Sequence, residues 1–272
     1  MSTDRLLAEH YTHGALGEAI DRTLSAMGKD PQAPSVDDLA PIDEFHTGGR
    51  PATLGLFEQC GFAPGMHILD IGSGLGGPAR ICANICGAQV TGIDLTPEYV
   101  ETAIELSRRT GFAGRTGFRQ ASALELPFDA GAFDGAYLLH VGMNIADKAR
   151  LFREIRRLLR PGAVFGIYDI MRLAAGEPTY PLPWASQPET SHVVTPAEYR
   201  EALQGAGFRI RQERDRRAFV QETLARQAQR EANTPPVEPS YRGPDFSRKV
   251  ANLRAMMASG VFAPIEIVAE AI

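Results

Sequence analysis

His67-Ile68-Leu69-Asp70-Ile71-Gly72-Ser73-Gly74-Leu75-Gly76-Gly77-Pro78-Ala79-Arg80 decides the fold of this chain. The stretch opens as a short apolar run, breaks into a glycine cluster and resumes with a helical pattern. Such a strand-to-helix turn brings backbone N–H groups and a helix N-terminus close to a ligand, and glycines permit the approach because they carry no side chain. Two templates fit it. Gly72, Gly74 and Gly77 match the dinucleotide fingerprint G-x-G-x-x-G, while Asp70 with Gly72, Gly74 and Gly76 matches D-x-G-x-G. Both expect an acidic residue near the end of the second strand to take ribose hydroxyls. Asp94 meets that demand and separates neither template from the other.

Outward from the turn, strand and helix patterns alternate. Before it, Thr53 to Cys60 reads as a short helix ending near Gly61, and Pro64-Gly65 as a turn. Met66 to Ile71 is the first strand, Gly76 to Cys86 a helix, and Ala88 to Asp94 the second strand. Pro97 suits a first helical turn, and Val100, Ala103, Ile104 and Ser107 trace one face. Phe118 to Ser122 and Ala132 to Val141 give two more strands. The helix Ala146 to Leu159 carries Leu151, Phe152, Ile155, Leu158 and Leu159 on one stripe, stopped by Pro161-Gly162, and Val164 to Met171 is the fifth strand. Five strands alternating with helices predict an α/β fold with a doubly wound, mostly parallel sheet.

The rest is less regular. Residues 172–195 carry four prolines and read as a long loop, a length usually reserved for function. Pro196 to Ala206 is a helix and Phe208 to Glu213 a sixth strand. Polar helical segments fill 216–230 and 245–258 around the proline-rich stretch Thr234 to Pro244, and Pro264 to Ile272 fits a strand or a helix equally.

With 272 residues, 44% apolar, the chain can bury a substantial core. Its net charge of −5 gives no basic excess for nucleic acid, and the arginines at 153–160 and 209–217 read as solvated faces. No apolar run approaches the roughly 18 residues of a membrane span. The first residues do not read as a signal peptide, so the expected location is cytoplasmic. Cys60, Cys82 and Cys86 form neither a disulfide framework nor a zinc pattern, and Cys82 and Cys86 share an apolar face with Ile81 and Ile85. No metal is expected.

Four later segments add to the glycine run. Gly92-Ile93-Asp94-Leu95-Thr96, Ala123-Leu124-Glu125-Leu126-Pro127-Phe128, Phe133-Asp134 and Leu158-Leu159-Arg160-Pro161-Gly162 stand at matching places in one known pattern. From about Phe45 to Arg211 the chain resembles the class I S-adenosylmethionine-dependent methyltransferases, and within them the small-molecule group acting on amines, sterols and quinones. The resemblance implies a seven-stranded Rossmann-like sheet with a helical and loop cap. It implies a lid over residues 1–45, a cofactor-binding domain over 46–272, and cap insertions at about 172–195 and 216–260.

It also implies roles. Asp43-Glu44-Phe45-His46-Thr47-Gly48-Gly49 resembles the S/T-G-G element facing the methionine end of the cofactor, where a hydroxyl and glycine N–H groups suit a carboxylate. Cofactor contacts are expected from His46, Thr47, Gly48, Asp70, Gly72, Ser73, Gly74, Asp94, Leu95, Ser122, Ala123 and Leu139. Ser122 departs from the pattern, since family members often carry an acid there to accept from the adenine amino group. His140, at the end of the fourth strand, is the expected general base, with Tyr11 of the lid as second candidate. Tyr180, Trp184 and His192 are expected to meet the substrate. The implied activity is methyl transfer to N, O or C of a small molecule, with amines slightly favoured. A scaffold or cyclase that keeps the cofactor without methyl transfer, and a nicotinamide dehydrogenase, are the alternatives.

Overall fold

The apolar runs of this chain become strands because helices cover them from both sides, and that requirement sets the architecture. The computed structural model describes residue 11, residues 14–231 and residues 245–272. Its strands are β1 (His67–Ile71), β2 (Gln89–Asp94), β3 (Thr116–Gln120), β4 (Phe133–Leu139), β5 (Leu159–Arg172), β6 (Phe208–Asp215) and β7 (Phe262–Ala271). They form one sheet in the order β3-β2-β1-β4-β5-β7-β6, in which β7 alone runs antiparallel to its neighbours. The mostly parallel seven-stranded sheet is therefore observed. The C-terminal run, ambiguous by periodicity, is a strand: inserted between β5 and β6 and buried along nearly its whole length, it needs apolar residues on both faces.

The helices are α1 (Leu16–Ala26), α2 (Val36–Asp43), α3 (Gly49–Cys60), α4 (Gly77–Ile81), α5 (Pro97–Arg109), α6 (Lys148–Leu158), α7 (Pro196–Gly205), α8 (Arg217–Glu231) and α9 (Phe246–Ala258). On one face of the sheet, Leu151, Phe152 and Ile155 of α6 and Tyr199 and Leu203 of α7 pack on Leu138, Phe165 and Ile167. On the other, Leu56 and Phe57 of α3 and Ile81 after the glycine turn meet Ile68, Tyr137 and Tyr168. Each fully buried side chain of this size contributes about 1.5–3 kcal/mol. A third cluster joins α1 and α2 to α5 through Leu16, Ile20, Leu39, Ile42 and Leu106. A fourth pins the 173–195 loop down, with Leu182 and Trp184 against Ile170, Phe262 and Leu253 of α9. No described helix is long and apolar enough to cross a membrane.

Several boundaries depart from the sequence reading. After Ile81 the backbone winds as a π turn over Cys82–Cys86, which moves later side chains off the α-helical register, so Cys82 is buried while Ile85 is 61% exposed. On α5 the buried stripe runs through Tyr99, Val100, Ala103, Leu106 and Ser107, leaving Ile104 half exposed. β3 starts and ends two residues earlier than expected, so Ser122 lies past the strand in a bridge with Glu125. The Pro161-Gly162 pair lies inside β5, because Leu159 already pairs with Phe133. The Thr234 to Pro244 stretch and the first ten residues fall outside the described residues.

Strand order reverses between β1 and β4. In open α/β sheets this is where the C-terminal strand ends leave a crevice, and here β1 ends in the glycine turn and β4 in His140.

Candidate active site

The glycine turn folds back on itself as soon as β1 ends. Gly72 N–H and Ser73 N–H both donate to the Ile93 carbonyl, at 2.8 and 2.9 Å, which ties the turn to β2. Gly72 sits at φ +74° with Val141 packed against its Cα, where any Cβ would collide with the valine. Only glycine meets both conditions. The turn in turn fixes Asp94, whose Oδ2 accepts from Gly74 N–H and Oδ1 from Thr96 N–H, both at 2.9 Å. Each carboxylate oxygen keeps a second lone pair for another donor.

Turn, strand ends and cap enclose one cavity of about 1090 Å³. That exceeds the ~300–1,000 Å³ typical of a single small-molecule site. One half is lined by His46, Thr47, Gly48, Asp70, Gly72, Ser73, Gly74, Asp94, Leu95, Ser122, Ala123 and Leu139, so all twelve residues expected around the cofactor come together. His140 and Tyr11 line the same cavity. Of the three expected substrate residues only Trp184 does, with its indole N–H donating to Ser191 Oγ at 3.0 Å. Tyr180 packs at the edge of the fourth cluster, and His192 donates its backbone N–H to the Met143 carbonyl; neither lines the cavity. Their loop folds onto the sheet instead of arching over its end, and this removes them from the site.

Hydrogen bonds engage both ring nitrogens of His140. Nδ1 lies 3.2 Å from the Tyr168 carbonyl, which can only accept, so this nitrogen carries the proton. Nε2 is then the acceptor, taking Thr47 N–H at 3.3 Å and the Thr47 hydroxyl at 3.0 Å. Burial pulls the imidazole down to about 3, with the neighbouring His46 acting in the same direction. Both nitrogens are committed and the ring stays neutral, so a proton can be taken up only by breaking the Thr47 contacts. His140 also holds φ +54°, a left-handed conformation that a non-glycine residue adopts only under constraint.

The same network revises Thr47. Its hydroxyl proton points at His140, so its oxygen faces the cavity as an acceptor. A hydroxyl in that state suits an ammonium better than a carboxylate. The donors that remain for a carboxylate are the backbone N–H groups of Gly48 and Arg50, since Gly49 N–H donates to the His46 carbonyl at 3.1 Å and Pro51 has none. His46 behaves as a brace: its Nε2 lies 3.1 Å from the Gly49 carbonyl and 3.0 Å from Thr53 Oγ1, and burial pulls it down to about 4.

Carboxylates gather beneath this half. Asp70 Oδ2, Asp43 Oδ1, Glu44 Oε1 and the Ser73 hydroxyl are buried without a hydrogen-bond partner. Burial pushes Asp70 up to about 8 and Glu44 up to about 7. Asp43 is held by Arg80 Nη2 at 2.6 Å, a fully buried pair that the sequence reading missed. Arg80 stands one turn into the helix after the glycine run, among small and apolar neighbours, which is the available signal. Ser122 Oγ accepts from Leu124 N–H at 3.4 Å and retains a lone pair toward the cavity. Tyr11 donates to Asn144 Oδ1 at 3.3 Å, and burial raises its phenol well above the ordinary value, so it stays protonated.

The opposite half is roofed by α8 and α9. Phe246, Val250, Leu253 and Met257 recur at three- and four-residue spacing on α9 and face the cavity, as do Phe219 and Leu224 of α8. Sequence reasoning placed a cap here but named none of these residues.

Residues 69–167 match the family described as methyltransferase domain. The chain is 34% identical over 114 residues to sterol 24-C-methyltransferase ERG6B of Gibberella zeae, covering 42% of this chain and 30% of that protein. It thus spans under a third of that relative's length. Among solved structures, phosphoethanolamine N-methyltransferase 2 of Haemonchus contortus in complex with S-adenosyl-L-methionine superposes with a TM-score of 0.74 at 21% identity, covering 100% of this chain and 60% of that one. The [4+2]-cyclase SpnF superposes with a TM-score of 0.64 at 22% identity, covering 89% and 97%. From β1 to β5 the chain thus carries the match to a methyltransferase domain, set within the seven-stranded fold that it shares with these solved structures.

Proposed function

We propose that the protein transfers a methyl group from S-adenosylmethionine to a small molecule seated under α8 and α9. The observation that carries this reading is the single cavity running from the glycine turn to the cap, with room for two ligands side by side. The residues present fit the cofactor. Buried carboxylate and hydroxyl oxygens lacking donors, at Asp70, Glu44 and Ser73, suit a ligand that brings an ammonium and ribose hydroxyls. When bound, the cofactor supplies a sulfonium-activated methyl group.

Each residue then has a task. Asp94 takes ribose hydroxyls with its spare lone pairs, and Ser122 accepts from the adenine amino group. Asp70 and the Thr47 oxygen hold the ammonium, while N–H groups at the start of α3 take the carboxylate. His140 positions Thr47 and does not move a proton. Tyr11 and Asn144 close the cavity wall beside the acceptor and exclude water. His140 and Tyr11 are neutral and the carboxylates are given to the cofactor, so the chain contributes chiefly alignment, which in favourable cases is worth about 7–11 kcal/mol of barrier. The cap offers cations and apolar side chains to the acceptor, which weighs against a permanently charged amine and favours an oxygen or carbon nucleophile.

Formation of S-adenosylhomocysteine with a panel of phenols, enols, alkenes and amines tests the reading. Turnover of any member supports it. Tight cofactor binding with no product across the panel would favour the scaffold or cyclase alternative, for which the fold shared with SpnF is the supporting observation.

A further inference from the structure

The two ends of the cavity carry opposite charge. Around the glycine turn the wall is acidic, with Asp43, Glu44, Asp70 and Asp94 outnumbering Arg50; the other cations of the lining are Arg226, Lys249 and Arg254 on the cap helices and Arg150 on α6. Two of these cations are already engaged. Arg150 donates to the Leu124 carbonyl at 3.1 Å and stands 3.6 Å from Glu125, and Arg226 pairs with Glu222 at 3.1 Å. The side chains of Lys249 and Arg254, the second of them exposed, have no hydrogen bond or ion pair among the described residues. The lysine is half-buried on the α9 stripe with Val250, Leu253 and Met257. Asp245, one turn back on the same element, is the described carboxylate that acts on Lys249, and it does not offset the burial that pulls the ammonium below its ordinary value. Asp147, the remaining acid of the lining, caps α6 by accepting Arg150 N–H at 2.8 Å.

A cation set among apolar side chains without a partner is costly unless a ligand supplies the counter-charge. Lys249 and Arg254 flank the apolar stripe on its two edges, so one molecule lying along the stripe can meet both kinds of group. We propose that the acceptor is an amphipathic anion, with an apolar skeleton against Trp184, Leu224, Val250 and Met257 and a carboxylate or phosphate held by Lys249 and Arg254. This deepens the methyl-transfer reading and rests on it only in naming the ligand an acceptor.

Calorimetry on the full chain tests it with four probes of one chain length: octanoate, octyl phosphate, octanol and octyltrimethylammonium. The titrations are run with and without S-adenosylhomocysteine, so failure of that compound to bind counts against the cofactor assignment alone. At least one anion should bind about tenfold more tightly than octanol and the cation, the scale of one charge-assisted hydrogen bond. The tighter of the two anions identifies the acidic group. K249Q and R254Q should each weaken that anion by about threefold or more and leave octanol unchanged, whereas R108Q, an exposed charge on α5, should change nothing. Octanol binding as tightly as the anions, no binding by either anion, or an R108Q loss equal to that of K249Q would overturn the proposal.

Discussion

Replacing His140 by alanine separates two roles that the strand-end position alone leaves together. A general base lost from the site lowers turnover by about 10²–10⁴-fold and leaves cofactor binding nearly untouched. The structure supports a different outcome. The substitution removes the acceptor for Thr47 N–H and for the Thr47 hydroxyl, and the donor to the Tyr168 carbonyl. Each such bond contributes about 0.5–1.5 kcal/mol net, and an N–H left unpaired in a buried place costs about 1–3 kcal/mol. Water entering from the cavity recovers part of this. A remainder of about 1–2 kcal/mol falls on the Thr47-Gly48 segment, which is about 5- to 30-fold in the dissociation constant of S-adenosylhomocysteine. Calorimetry with that ligand reads the loss directly. With Thr47 misplaced, the Michaelis constant for S-adenosylmethionine should rise by a similar factor, and the pH–rate profile should keep its shape, because an imidazole held near 3 contributes no limb around neutrality. The reasoning is refuted if ligand affinity stays within about threefold while turnover drops a hundredfold and the acidic limb disappears.

Gly72→Ala should abolish measurable cofactor binding and lower the melting temperature, since the Cβ meets Val141 at a positive φ; conformational strain alone costs about 1–3 kcal/mol. Arg80→Met leaves Asp43 buried without its partner and should destabilise the fold by about 3–5 kcal/mol in urea titration; a loss under 1 kcal/mol would show that the pair carries little. Stability should also depend on pH in two opposed windows. His46 and His140, depressed to about 4 and 3 when folded, give stability that is present above their ordinary value near 6.5 and lost as pH falls. Glu44 and Asp70, raised to about 7 and 8, give stability that is present below about 4 and lost as pH rises through 7–8. Between about pH 4 and 6.5 the two pairs oppose each other, so their joint contribution to the melting temperature of the free protein should stay nearly level there and fall below about 4 and above about 6.5, and Asp70→Asn should flatten the alkaline side; an unchanged alkaline slope in that variant would remove Asp70 from the account.

The sheet was legible because its information is local and periodic. Runs such as Ile68 to Ile71 or Phe165 to Met171 have to be covered on both faces, and the glycine spacing fixes where a backbone must approach a ligand. Most residues expected around the cofactor lie within a few positions of a strand end, whereas His46, Thr47 and Gly48 precede α3 and were reached through the resemblance. Two things escaped. The hydrogen bonds of His140 could not be read, because they reach Thr47, 93 positions away, and a carbonyl of β5. The cap residues escaped because α8 and α9 carry mixed polar faces, and nothing local says which face turns toward the sheet. In the long loop Leu182 and Trp184 anchor the chain to Ile170 and Phe262, which leaves Trp184 in the cavity lining and Tyr180 and His192 outside it, a division that aromatic content alone does not make.

The segment from Leu139 to Asn144 is held from both sides of the sheet, which explains how a left-handed histidine persists there. On the α3 side, His140 is tied to Thr47 and Tyr168. On the α6–α7 side, the Tyr199 hydroxyl donates to Asp169 Oδ2 at 2.6 Å, and both groups press against Gly142 so closely that a Cβ would not fit. Lys148 completes that side, donating to the carbonyls of Ile145 at 2.5 Å and His192 at 2.9 Å. Burial of Asp169 and Tyr199 inside the main core makes this support part of global stability. The roof has no comparable anchorage: among the described residues α8 buries Val220 and α9 buries Leu253. Local opening is cheapest where few buried contacts are lost. Acceptor exchange should therefore proceed through movement of α8 and α9, while the floor that carries His140, Met143 and Asn144 keeps its geometry. Hydrogen exchange offers the comparison, with amides of α9 exchanging faster than those of β4 and slowing when an acceptor is bound.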